Sequence, residues 1–152
     1  MIGWRKYIVI PIGAVASSIL CLPCRAADRC HAAEAGIASF KSWPAIADWY
    51  SRFSRCDDGC VAEDLDRRIV SMLANDWQSV SELHDLSEKQ ARFKRFVLKH
   101  LGGDAETKQL RKVRANARSS CPTGLKTFCR EIVTAASHGL AEQAQAEKSA
   151  KD

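Results

Sequence analysis

The cysteines are the residues of this chain whose chemistry is most constrained by type and spacing. The 152 residues contain seven cysteines, and two of them, Cys21 and Cys24, lie in an apolar N-terminal segment. In an oxidising compartment cysteines form disulfides by default. The sequence therefore predicts a disulfide-stabilised domain if the chain is exported. The disulfide candidates are Cys30, Cys56, Cys60, Cys121 and Cys129.

The N-terminal segment predicts export. Residues 1–7 contain two bases and no acid, residues 8–23 form an apolar run, and small residues follow at Ala26 and Ala27. This order is typical of a secretory signal peptide, with cleavage after Ala26. A retained membrane anchor is the alternative, although the run is short for a membrane span. Removing residues 1–26 leaves 126 residues and lowers the formal net charge from +5 to +2, because Arg5, Lys6 and Arg25 are lost. We expect a periplasmic or secreted protein.

Cys121 and Cys129 are predicted to form one disulfide. They flank Pro122-Thr123-Gly124, where the chain can turn back. Closing this loop of about nine residues stabilises the fold by roughly 2.5 kcal/mol on the chain-entropy model.

Cys30 is predicted to pair with Cys56 or Cys60, which would tie the first helix to the start of the central one. That longer loop contributes roughly 3.5 kcal/mol on the same model. One thiol is then left over. The alternative is a bridge between Cys56 and Cys60, which would strain a regular helix and leave Cys30 free.

The central helix is predicted from an apolar residue at every fourth position, the spacing of one buried helical face. Residues 57–59, Asp-Asp-Gly, precede this stripe and place carboxylates where a helix N-terminus needs acceptors. Capping explains them better than a calcium loop, which needs more oxygen ligands at alternating positions. The stripe consists of Val61, Leu65, Ile69, Leu73 and Trp77.

Helical patterns also precede the central helix. A first helix is expected at residues 31–42, and Pro44 suits the first turn of a second one. The second pattern carries Trp49 and Tyr50 next to Trp43, and we interpret these aromatics as core residues. An exposed binding patch is the alternative for them.

Further helical patterns follow the central helix. Residues 79–86 form a short segment, and Ser87 with Gln90 resembles a capping box that starts the next helix. The glycines at 102–103 are expected to end that helix. Two more helices follow, one before Cys121 and one after it. Residues 141–152 are predicted to be a charged tail that either extends the last helix or frays.

The fold class that follows is all-α, a small irregular helical bundle stabilised by disulfides. No segment alternates apolar and polar residues as a strand would. The domains are a signal peptide at 1–26, a helical domain at 27–140 and the tail at 141–152.

Charge is distributed unevenly along the chain. Residues 57–88 carry a net charge of −7, and residues 89–118 carry a net charge of +8. One interpretation is that the two halves pack together and neutralise each other. The other is that one charged face docks a protein partner, because complementary fields raise association rates.

The sequence contains no catalytic, cofactor or metal signature. His84, His100 and His138 lie alone on predicted helices, and only His31 lies beside a cysteine. A nucleophile needs an adjacent base and an orienting group, and no such motif occurs. We therefore predict a protein that is not an enzyme and that uses no cofactor and no metal.

A resemblance to known proteins adds a functional hypothesis. Residues 53–59, Phe-Ser-Arg-Cys-Asp-Asp-Gly, then Cys121-Pro122-Thr123-Gly124 and Cys129, look like small uncharacterised exported proteins of proteobacteria over residues 43–137. In architecture the chain is also similar to periplasmic immunity proteins of type VI secretion systems. Those inhibit cell-wall amidase effectors by inserting into the active-site cleft.

The hypothesis that follows is a periplasmic protein-binding inhibitor of a secreted effector, with no nucleic-acid partner. A structural or accessory envelope protein is the first alternative, and a cell-wall enzyme is the second. The resemblance assigns no inhibitory residue.

Overall fold

A computed structural model describes the backbone of residues 23–151 and the side chains of residues 30–151. The predicted signal peptide falls mostly outside the described residues, so its cleavage stays a prediction. The described part contains helices and no strand, which confirms the all-α class. The seven α-helices are α1 Pro23–Ile37, α2 Trp43–Phe53, α3 Gly59–Asn75, α4 Val80–Lys89, α5 Ala91–Lys99, α6 Thr107–Ser119 and α7 Lys126–Ser149. None of the helices in this part is long and apolar enough to cross a membrane.

Helix α3 is central, as its apolar stripe predicts. Leu65, Ile69 and Leu73 are completely inaccessible to solvent. The stripe ends at Leu73 and not at Trp77, because α3 stops at Asn75, two residues before Trp77. Trp77 lies in a separate 3₁₀ turn, where its indole N–H donates to the carbonyl oxygen of Ser120 at 2.8 Å.

The other helices pack around α3 and one another to enclose one core. Helices α1 and α6 contact α3, α7 packs along α6, and α4 contacts both α2 and α5. Every helix of the described part except α1 and α4 contributes at least three buried apolar residues. Burial of one such side chain is worth roughly 1.5–3 kcal/mol. The largest fully buried apolar side chains are Trp43, Phe93, Ile37, Ile46, Leu65, Ile69, Leu73, Leu83, Leu101, Leu110 and Ile132.

The aromatic residues of α2 belong to the core, as predicted. Trp43 and Trp49 are buried, and each indole N–H has an acceptor: the Ser79 hydroxyl at 2.9 Å for Trp43 and the Ala33 carbonyl at 3.0 Å for Trp49. Tyr50 is half-buried, with its ring 4.7 Å from that of Phe96. Each indole therefore attaches α2 to another element of the fold.

The predicted bounds of the first helix are wrong. Helix α1 runs from Pro23 to Ile37, so it begins and ends earlier than the predicted 31–42. The alanine-rich sequence favours the earlier start, and a proline is well tolerated in the first turn. Ser42 lies outside α1 in extended backbone and immediately precedes α2.

The predicted capping box at Ser87 is also wrong. Ser87 lies inside α4, is 2 % exposed, and shares the buried face of that helix with Val80 and Leu83. Its small side chain fits this face, although its hydroxyl has no hydrogen-bond partner. Gln90 separates α4 from α5 without a side-chain cap. Helix α5 then ends at Lys99, before the glycine pair that was expected to stop it.

The predicted tail continues the last helix. Helix α7 extends to Ser149, so the boundary at residue 140 does not interrupt it. Gln143 attaches the start of this extension to the loop before α6, because its amide N–H₂ donates to the carbonyls of Gly103 at 3.0 Å and Ala105 at 2.8 Å. Most of the remaining residues of the extension are exposed.

Gly139 lets α7 approach the backbone that follows α5. A Cβ atom added at Gly139 would overlap the carbonyl oxygen of Leu101 and the Cα of Gly102. These are backbone atoms, which cannot move aside as a flexible side chain can. By contrast, a Cβ at Gly36 in α1 would meet no atom within 4 Å.

This contrast predicts opposite effects for the same substitution. Gly36→Ala should raise the free energy of unfolding by a few tenths to about 1 kcal/mol, because Ala favours the helix. Gly139→Ala should lower it by about 1–3 kcal/mol, because the close packing has no room for a methyl group. Urea denaturation of both variants measures the difference. A stabilised Gly139→Ala protein would contradict the described contact between α7 and residues 101–102.

Candidate functional site

Two disulfides fix the relative positions of the helices. Cys121 and Cys129 form the predicted bridge, and Cys30 pairs with Cys56. The alternative bridge between Cys56 and Cys60 is therefore wrong, and Cys60 is an exposed free thiol. Two bridges are consistent with an oxidising, extracytoplasmic compartment.

Each bridge joins a helix, or the residues just after it, to a later part of the chain. Cys30 in α1 is tied to the 3₁₀ turn Ser54–Cys56, which leads into α3. Cys121, two residues beyond α6, is tied to Cys129 in the first turns of α7. The second bridge thus holds the end of α6 against the beginning of α7.

The most enclosed polar group of the described part is His100, which is only 1 % exposed. Its Nδ1 lies 2.6 Å from Oδ1 of Asp66, and its Nε2 lies 3.2 Å from Oδ1 of Asp57. Asp57 also accepts a hydrogen bond from the ammonium group of Lys99 at 2.9 Å. The carboxylate of Asp57 lies within ion-pair distance of the ring, but the two groups are not aligned for a hydrogen bond. A carboxylate thus faces each ring nitrogen.

This cluster is a structural brace. Asp66 also accepts from the backbone N–H of Asp104 at 3.2 Å, so one carboxylate joins α3 to both the end of α5 and the following loop. Gly103, with φ of +49°, permits this approach because a Cβ there would overlap Asp66. A substrate cannot reach a ring that is buried and flanked on both sides.

The sequence analysis missed this cluster and described His100 as lying alone. Its partners are 34 and 43 residues away in the chain, and no local motif links them. One signal was available. His100 continues the spacing of Phe93, Phe96 and Val97, the buried residues of α5, and so falls on the buried face.

The two acids that precede α3, Asp57 and Asp58, make different contacts. Asp58 is the N-cap residue, and its carboxylate accepts from the N–H of Gly59 at 2.8 Å, as the capping interpretation predicts. Asp57 instead contacts His100 and Lys99. Elsewhere on α3, the hydrogen bond from Arg67 to Asp64 raises the pKa of the Arg67 guanidinium.

The two oppositely charged segments neutralise each other at few places. Among the bases of residues 89–118, Lys99 pairs with an acid of residues 57–88, namely Asp57, and Lys94 pairs with Glu131 of α7. In the described part no other lysine or arginine of residues 89–118 lies in an ion pair with an acid. Mutual neutralisation therefore accounts for only part of the positive charge.

The unpaired positive charge is concentrated on α6 and the start of α7. Residues 107–130 contain seven bases and not one acid, and none of the seven forms an ion pair with an acid of the described residues. All are exposed except Arg114, which is partly buried. We call these residues the basic surface. They are Lys108, Arg111, Lys112, Arg114, Arg118, Lys126 and Arg130.

A groove of about 840 Å³ indents the basic surface where α6 meets α7. Arg118, Lys126 and Arg130 line it together with Pro122, Val133 and the Cys121–Cys129 bridge. No acid lines this groove. The arrangement suits an anionic ligand with some apolar surface, and it contains no nucleophile next to a base. No cluster of His, Cys, Asp and Glu in the described part could hold a metal ion.

The buried contacts of Asp66 lead to a prediction about the free energy of unfolding. Asp66→Asn should lower the free energy of unfolding by about 2–4 kcal/mol, because it removes a carboxylate from an enclosed imidazole. Asp64→Asn on the same helix should change it by about 0.5 kcal/mol or less, since the Asp64–Arg67 pair is largely exposed. Chemical denaturation measures both values. Equal effects of the two substitutions would contradict the role assigned to Asp66.

Comparison of the chain with protein-family models, curated proteins and solved structures gives no match. The resemblance to exported proteins and to immunity proteins therefore stays a prediction. Functional inference rests on the residues themselves, of which the basic surface is the feature with no structural explanation.

Proposed function

We propose that this chain is a periplasmic, non-catalytic protein that acts by binding another protein. The form we favour is an immunity-type inhibitor of a secreted effector that attacks the cell wall. The observation that carries the proposal is the basic surface. Seven like charges on adjacent helices repel one another, and none of them forms an ion pair with an acid of the described residues, whereas an acidic partner would neutralise them.

The scaffold supports the same function. The Cys121–Cys129 bridge and the packing of α6 against α3 and α7 hold the helices of the basic surface in place, so little backbone entropy is lost when a partner binds. A fixed field of one sign also accelerates encounter with an oppositely charged protein. An inhibitor that must capture its target quickly benefits from both properties.

An enzyme is less well supported by the same residues. The histidine with the most developed carboxylate contacts, His100, is enclosed and cannot act on a substrate. The other histidines of the described part have only nearby acids on their own helices as ionic contacts. Among the hydrogen bonds and ion pairs of the described residues, none joins the free thiol of Cys60 to a histidine.

Inhibition of cell-wall hydrolysis tests the proposal. We expect a neighbouring gene to encode a secreted cell-wall hydrolase. The exported protein, purified without its leader, should block peptidoglycan hydrolysis by that enzyme at about one inhibitor per enzyme, as a tight interface requires. A secreted hydrolase from an unrelated locus serves as the control and should stay active.

Two results would contradict the proposal. The first is undiminished hydrolysis by the neighbouring enzyme at saturating concentrations of this protein. The second is release of peptidoglycan fragments by this protein alone, which would indicate an enzyme.

A further inference from the structure

The groove between α6 and α7 combines three features that select a ligand. Arg118, Lys126 and Arg130 supply exposed positive charge, and no acid among the lining residues offsets them. Pro122 and Val133 add small apolar surfaces to the same lining, and the groove is open to solvent.

The backbone segments that carry the cations of the groove are joined to each other by a disulfide. Arg118 lies in the last turn of α6, and Arg130 follows Cys129 directly in α7. The Cys121–Cys129 bridge joins the end of α6 to the start of α7, and the Cα atoms of the two cysteines lie 6.1 Å apart. The indole N–H of Trp77 donates to the carbonyl of Ser120 and attaches the same loop to the core. The groove is therefore preorganised.

We propose that this groove docks an acidic, extended segment of a partner protein. The inference rests on the proposed function, for which it names the binding site and the chemistry of the partner. Two of the three cations are arginines, and guanidinium groups bind carboxylates through paired hydrogen bonds. A segment with Asp or Glu side chains and a small apolar residue matches the charge and the apolar surface that line the groove.

Other anionic macromolecules fit this surface less well. A membrane-binding helix inserts large apolar side chains beside its bases, but the large apolar residues of α6, Leu110 and Val113, are both buried. Single-stranded nucleic acid binds through exposed aromatic rings. The aromatic residue of residues 107–130 is Phe128, which is buried.

A second groove of the described part, with a volume of about 920 Å³, has no comparable selectivity. It lies between the end of α5, with Leu101 and Gly102 after it, and residues 127–142 of α7. Lys99, Arg130, Glu131 and Glu142 all line it, so its charges are mixed. It therefore favours no sign of ligand charge.

Binding of a defined peptide tests the proposal. The probe is a synthetic peptide rich in Glu and Asp, and its control is the same peptide with Gln and Asn in their places. The full mature protein should bind the acidic peptide and not the neutral one. Backbone NMR shifts should change at residues 117–133 and little elsewhere.

Matched charge variants separate the groove from net charge. The triple variant Arg118→Gln, Lys126→Gln, Arg130→Gln should bind the acidic peptide about tenfold or more weakly. The control variant Lys41→Gln, Arg92→Gln, Arg95→Gln loses the same charge at exposed sites outside the groove and should weaken binding about twofold or less. Circular dichroism and thermal unfolding verify that both variants fold, as expected for exposed positions.

Equal weakening by both triple variants would overturn the docking site, and so would binding to anionic phosphatidylglycerol vesicles but not to the peptide. The docking site and the proposed function can fail independently of each other. If a groove variant no longer binds the peptide but inhibits the effector as strongly as the parent protein does, the docking site alone is overturned. Groove-specific peptide binding by a protein that inhibits no neighbouring effector supports the docking site and overturns the proposed function.

Discussion

Burial of the apolar stripe of α3 is the constraint on which the rest of this structure depends. Leu65, Ile69 and Leu73 exclude solvent completely, so neighbouring helices must cover this face. Helix α6 is one of them, and it can cover α3 only with its narrow stripe of Leu110 and Val113. The polar side of α6 must then face solvent, which places its bases there.

Polar contacts at the middle and at the C-terminal end of α3 hold this arrangement. In the middle of α3, Asp66 joins the helix to His100 and to the loop before α6. At its C-terminus, the amide of Asn116 donates to the carbonyls of Leu73 at 3.5 Å and Ala74 at 3.4 Å. Carbonyls at a helix end have no partner within the helix, so this contact from α6 satisfies them. The helices that carry the basic surface are thus positioned by the core and by these contacts.

The sequence predicted what depends on local spacing. The α3 stripe, the buried Trp43 and Trp49 and the Cys121–Cys129 bridge all follow from residues close together in the chain. It did not predict the contacts of His100, because Asp57 and Asp66 approach it only after the helices pack. The Ser87 cap failed for a related reason: a small polar residue on a buried face resembles a cap until the neighbouring helix is known. The groove could not be predicted, since it requires the relative positions of two helices.

The central claim is that the unpaired positive charge of α6 and α7 exists for an acidic protein partner. The most direct test is the association rate constant of this protein with the effector that we propose it inhibits, measured by stopped-flow at increasing ionic strength. Steering by complementary charge predicts a rate that falls steeply as salt screens the field, with a much smaller change in the dissociation rate. An association rate that does not depend on salt would contradict the claim.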